Sequence, residues 1–436
     1  STTVQAARSS LDACVALPGF FRQTATEFLP CFDGTRCGDR PATTMPSLAL
    51  EATYWRPGYL ATSAAACPHA AACVGGAMSA TPSYNRFSDE TCAPSRGLAG
   101  AYCQLCLDET HYFSDATVSC HACEAWATAL VVLLLVASAS ALAWCWSACA
   151  VRMGRLVARL ALRSKLKICI GFYQVITQLG RVYVVTFPPA YEAVLRFFRI
   201  ANLHLFDWMP AMAPRCLGLP SLVDQLLFAA LAPVALALVA VVVAVARRAS
   251  PCATALPPIL YGSFVIFPPI ASLGFRALAE CDCFQYAQPG AVDGDGGSDV
   301  CFLRADYAET CTLRLAGRLY PRMPVVAAAW LAVALFACGV PLLFAAVIRG
   351  RGRPALKTAA SFLTDAYVPG AVYWELVEVA KKLLLTGWLA LVRPGTLPQI
   401  YLGVTVSLVV LVLQLQLRPY WNPADNLLAM ASEVAL

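Results

Sequence analysis

WATALVVLLLVASASALAWCWS (126–147) is an unbroken apolar run with no charge and no proline. At about 1.5 Å per helical residue it is long enough to cross a bilayer core of about 30 Å. The sequence before it is polar and cysteine-rich. After it come a basic collar and then one apolar segment after another. The composition agrees: 59% of residues are hydrophobic and 13% charged, against roughly 25% charged in soluble domains. The predicted fold is an all-α polytopic membrane domain of seven to eight spans over 125–436. A small, disulfide-rich, loop-rich extracellular domain precedes it over 1–124.

Sidedness follows from charge and sulfur. Arg152, Arg155, Arg159, Arg163, Lys165 and Lys167 lie just past the first span, where cytoplasmic loops carry their basic residues. The net charge of +6 is clustered beside apolar segments, so the chain lacks the soluble basic face that nucleic-acid binding needs. Ten of the twenty cysteines precede the span: Cys14, Cys31, Cys37, Cys67, Cys73, Cys92, Cys103, Cys106, Cys120 and Cys123. An even count in a loop-rich stretch predicts a disulfide framework in an oxidising compartment, with connectivity left open. Cys281, Cys283, Cys301 and Cys311 fall in a later loop on the same predicted side. The two C-x-x-C pairs at 103–106 and 120–123 also fit a zinc ribbon. That alternative needs reduced thiolates and therefore a cytosolic side, so disulfides are preferred and no metal is assigned.

The further spans are read at 168–187, 221–246, 257–278, 324–347, 373–392 and 399–417, with an eighth beginning at 425–436. Residues 188–220 are expected to form an interfacial or re-entrant outer segment. Gln174, Gln178 and Arg181 in the second span fall at i, i+4 and i+7, one polar stripe that should face protein or water. It reads either as an ion path or as a structural hydrogen-bond network. Pro268-Pro269 kinks the fourth span and frees backbone carbonyls. Glu375, Glu378, Lys381 and Lys382 charge an amphipathic entry helix that runs into the sixth span. There Glu378 and Lys382 have the favourable i, i+4 order. The acidic run DGDGGSD (293–299) lacks the glutamate of an EF-hand loop and is expected to be solvated. The chain opens at Ser1 without a signal segment and stops at Leu436 inside an apparent helix, so both ends are expected to continue a longer polypeptide.

Two stretches resemble known families. CAPSRGLAGAYCQLCLDETHYFSDATVSCHAC (92–123) resembles the EGF-like and ephrin-receptor-like cysteine-rich modules, through Gly100, Cys103, Cys106, Tyr112, Phe113, Cys120 and Cys123. From 165 onward the chain is similar to the membrane domain of large algal and protist surface proteins whose helical body is TRP-like and polycystin-like. KLKICIGFYQV (165–175), FLRADYAETC (302–311), YWELVEVAKKLLLTGWL (373–389) and RPYWNPADN (418–426) carry that likeness. It implies a multi-pass protein of the plasma or ciliary membrane with a mechanosensory or channel-like role. The alternative is a non-conducting anchor for an extracellular filament, wall or scale. The implied partners are membrane lipid, an extracellular protein on the cysteine-rich domain, and further copies or a larger assembly. No enzyme motif such as GxSxG, HExxH or a P-loop occurs, and no catalytic residue or cofactor is expected.

Overall fold

The structure is a computed structural model. It describes residues 2–3, 14–23, 27–37, 42–58, 61–77, 91–114, 117–123, 133, 162–183, 214–284, 300–315, 318–392 and 395–436. The chain divides into two units. One takes 1–128, 209–220 and 280–322; the other takes 129–208, 221–279 and 323–436.

The first unit is built from short antiparallel ladders. Phe20–Arg22 pairs with Phe28–Pro30, and Tyr54–Trp55 with Ala65–Ala66. β1 (His111–Ser114) and β2 (Ser119–Ala122) form a hairpin in which Phe113 faces Cys120. β3 (Asp282–Phe284), β4 (Val300–Leu303), β5 (Asp306–Leu315) and β6 (Arg318–Pro321) form a four-stranded meander. Ladders this short bury little apolar surface, so covalent links carry much of the stability. Among the described residues these links are Cys31–Cys37, Cys67–Cys73, Cys92–Cys103, Cys106–Cys120, Cys123–Cys216, Cys281–Cys311 and Cys283–Cys301. Cys14 begins a strand, but its side chain lies outside the described residues. Cys216 was not among the sequence candidates. It recruits residues 209–220, so this unit draws on three separate stretches of chain.

An aromatic core joins two of those stretches. The Trp55 ring stacks on Tyr102 at 5.2 Å and meets Phe284 edge-on at 5.4 Å. Tyr102 also lies 4.6 Å from Tyr307. Beside them Arg304 forms a forked pair with Asp282, and the Tyr307 hydroxyl donates to Asp282 Oδ2 at 3.2 Å. Burial, reinforced by the Asp282 carboxylate, pushes the Tyr102 and Tyr307 phenols well above the usual tyrosine range.

The second unit is helical. α1 is Leu162–Tyr183, α2 Leu222–Ala246, α3 Leu256–Ala277, α4 Met323–Arg349, α5 Lys357–Thr364, α6 Trp374–Thr386, α7 Leu397–Leu417 and α8 Pro423–Ala435. α2 starts at a reciprocal cap: Ser221 Oγ accepts from the Asp224 N–H, and the Asp224 carboxylate accepts from the Ser221 N–H. α3 and α4 approach closely at Gly274, where an added Cβ would lie 3.0 Å from Val333 Cγ2. Val333 opens a π-helical stretch, Val333–Gly339, within α4. Leu231, Leu236, Leu238 and Val242 on α2, and Tyr401, Val404 and Leu408 on α7, are exposed. Such extensive apolar faces suit lipid and not water.

Four described helices are long and apolar enough to cross a membrane: α2, α3, α4 and α7. This corrects the expectation of seven to eight spans. α1 has the length, but its first turns carry Arg163, Lys165 and Lys167. α6 and α8 have 13 residues each and carry Glu375, Glu378, Lys381, Lys382, Asp425 and Glu433. These charges face protein, and at about 20 Å neither helix has the length of a span. Residue 133 apart, the stretch 126–147 lies outside the described residues, as do 188–213 and the acidic run 293–299.

Candidate functional site: a buried charge network

Three stretches singled out in the sequence, 165–175, 373–389 and 418–426, meet inside the helical unit. The first turns of α1 supply Ser164, Lys165 and Lys167. α6 supplies Glu375, Glu378, Lys381 and Lys382. The RPYWNPADN stretch supplies Tyr420, Asp425 and Asn426, and Glu433 follows on α8. Ionised side chains at such depth cost free energy unless each finds an opposite charge or a dipole.

Lys167 pairs with Glu375, which is fully buried. The same carboxylate oxygen accepts from the Tyr367 hydroxyl at 2.8 Å. Lys167 also donates to the Phe362 carbonyl at 3.1 Å and sits over the Phe362 ring, 4.7 Å from its centre. Lys381 bridges two acids, Glu378 on its own helix at 2.6 Å and Glu433 on α8. Glu378 is held in turn by the Trp374 indole N–H at 3.1 Å. Lower on α8, Asp425 accepts from the Ser164 hydroxyl and lies 3.6 Å from Lys165 Nζ. Ion pairs thus tie α6 to α1 and to α8, and Asp425 links α1 to α8.

Backbone and rings frame the network. The Val368 N–H donates to the Pro419 carbonyl and the Trp421 N–H to the Ala366 carbonyl. This short pairing brings the Tyr367 and Tyr420 rings to 5.1 Å. Asn426 bonds both backbone groups of Tyr420, at 2.8 and 3.1 Å. Asn422 caps α8 by accepting from the Ala424 N–H.

Lys382 is the exception. It is buried, its Nζ has no hydrogen-bond acceptor among the described residues, and it lies 4.0 Å from the centre of the Phe264 ring. The i, i+4 partnership expected with Glu378 is taken instead by Lys381 at i+3. Lys382 turns toward the aromatic face of α3, where a cation–π contact compensates in part.

The polar stripe of α1 has a different use. Gln174 Nε2 donates to the carbonyls of Phe264 and Val265 at 3.1 and 3.0 Å. Those are the two acceptors left without a helical N–H by Pro268 and Pro269, four residues on. Gln178 is buried, and the Arg181 side chain lies outside the described residues. A further glutamine, Gln399 at the start of α7, is fully buried and donates to the Val182 and Leu389 carbonyls.

Sequence reasoning found the α6 charges and Gln174. It placed Lys167 only in a basic collar and passed over Tyr367, Tyr420, Asp425 and Glu433. For Asp425 and Glu433 the signal was two acids eight residues apart in a largely apolar stretch. Among the described residues no group of histidine, cysteine or acidic side chains could hold a metal ion. Among the described residues the free cysteines are Cys169, Cys252 and Cys338, all in the helical unit. No protein-family model, no curated protein and no solved structure matches the chain.

Proposed function

We propose that the chain is a multi-pass protein of the plasma or ciliary membrane with a channel-like, mechanosensory role, and that the buried charge network is its sensing element. In this proposal α1, α6 and α8 pack as charged inner helices beside the four apolar helices of a TRP-like body, and 92–123 is an EGF-like contact module for an extracellular partner. The observation that carries it is Lys381 shared between Glu378 and Glu433. Replacing buried ion pairs by apolar side chains is often neutral or stabilising. Their presence among membrane helices therefore favours a functional role over a purely structural one. Tension that separates α6 from α8 would have to break this bridge, so the two helices have a discrete point of release.

The second reading, a non-conducting anchor, is favoured by a different observation. Gln174 is committed to the α3 carbonyls, and the cavity within the network has room for about one water. The test is current recording from the purified full chain in planar bilayers under tension and voltage, beside Lys381→Met. Conductance that is altered in Lys381→Met supports the channel reading. A folded, inserted protein that passes no current, but retains an extracellular partner through 1–124, supports the anchor.

A further inference from the structure

The network contains a small cavity of about 20 Å³ open to the centre of a water molecule. Three polar atoms of residues lining it have no hydrogen-bond partner among the described residues: Lys382 Nζ, Glu375 Oε1 and Glu433 Oε2. Each belongs to a side chain that is at least nine-tenths buried. Lys382 offers only donors, and the two carboxylate oxygens only acceptors. We infer that this cavity is a binding site for a single water, which accepts from the Lys382 ammonium and donates its two hydrogens to Glu375 and Glu433.

The arithmetic closes on one molecule. A water has two hydrogens to give and lone pairs to receive with, and buried waters typically make about three hydrogen bonds. The volume suffices for one water. The lining carries three lysines (167, 381 and 382) and three glutamates (375, 378 and 433), so the site is balanced in charge and selects a neutral occupant over an ion. Through that water Lys382 joins the Lys167–Glu375 and Lys381–Glu433 pairs. Gly171 on α1 keeps the site open, since a Cβ there would lie 3.1 Å from Lys382 Cε and 3.2 Å from its Nζ.

The test is a density map of the full chain in lipid nanodiscs, at a resolution that shows ordered waters. The expected result is one peak within about 3 Å of all three atoms. It should vanish in Lys382→Met, which removes the donor, and in Gly171→Ala, which keeps every charge but pushes Lys382 into the cavity. A wild-type map without the peak, with Lys382 Nζ directly on a carboxylate oxygen, would overturn the inference. So would a peak that persists unchanged in the variant that folds. The inference does not rest on the channel proposal: occupancy is decided by the map, and conduction by currents.

Discussion

Gln174 and the Pro268-Pro269 pair form a matched set whose energetics can be isolated. Replacing Gln174 by leucine removes two hydrogen bonds and leaves the Phe264 and Val265 carbonyls without a donor. A net hydrogen bond contributes about 0.5–1.5 kcal/mol, and a bared buried acceptor costs about 1–3 kcal/mol. Interhelical bonds within membranes average nearer 0.6 kcal/mol. The expected loss is therefore about 1–4 kcal/mol, read as a lowered thermal midpoint of helical circular dichroism in detergent. The double replacement Pro268→Ala, Pro269→Ala restores two backbone N–H groups and returns both carbonyls to the α3 ladder. In that background Gln174→Leu should cost much less, and the coupling between the sites should approach the full single-mutant loss. Equal costs in the two backgrounds would refute the reasoning, because Gln174 would then stabilise by packing alone.

Lys381→Met strips two buried carboxylates of their shared cation and should destabilise by about 3–5 kcal/mol, whereas the triple variant Glu378→Gln, Lys381→Met, Glu433→Gln should recover most of that loss in thermal unfolding. Proteolysis without reductant should release a peptide containing Cys123 linked to one containing Cys216 by mass spectrometry. Cys123→Ser, Cys216→Ser and the double variant should be destabilised alike, by about 4–5 kcal/mol from the long closed loop (sequence separation 93). Cys252 is a free thiol in the one-turn helix Pro251–Thr254 that follows Arg247 and Arg248. In intact cells it should resist an impermeant maleimide added outside and react with a permeant one.

Legibility in the sequence varied with how local the cause was. α2, α3, α4 and α7 are apolar runs, and each announces itself within twenty-odd residues. Pro268-Pro269 was readable as a source of free carbonyls and Gln174 as a polar group needing a neighbour. That each answers the other depends on a packing relation some ninety positions apart, which no periodicity records. α1, α6 and α8 were harder, since the charges that let them pack together also lower their apolar character. The same applies to Lys382, whose i, i+4 spacing from Glu378 suggested a partner that Lys381 takes at i+3 while also bonding Glu433. Cysteine density located the cross-linked unit. Cys216, solitary in a stretch of Trp, Pro and Arg, gave no sign that it completes a set begun at Cys123.

The Cys123–Cys216 bond also constrains how the chain is threaded. Two covalently joined sulfurs must share a compartment, so the polypeptide between them crosses the bilayer an even number of times. If α1 accounts for one passage, an odd number of further passages must lie before Leu162 or after Tyr183, and 126–147 is a stretch with the length and apolarity to supply one. The bond can close only after these passages are made and Cys216 has emerged beside Cys123. Its oxidation therefore acts as a clasp on finished insertion, and its appearance during synthesis would time the moment at which the first helical hairpin is in place.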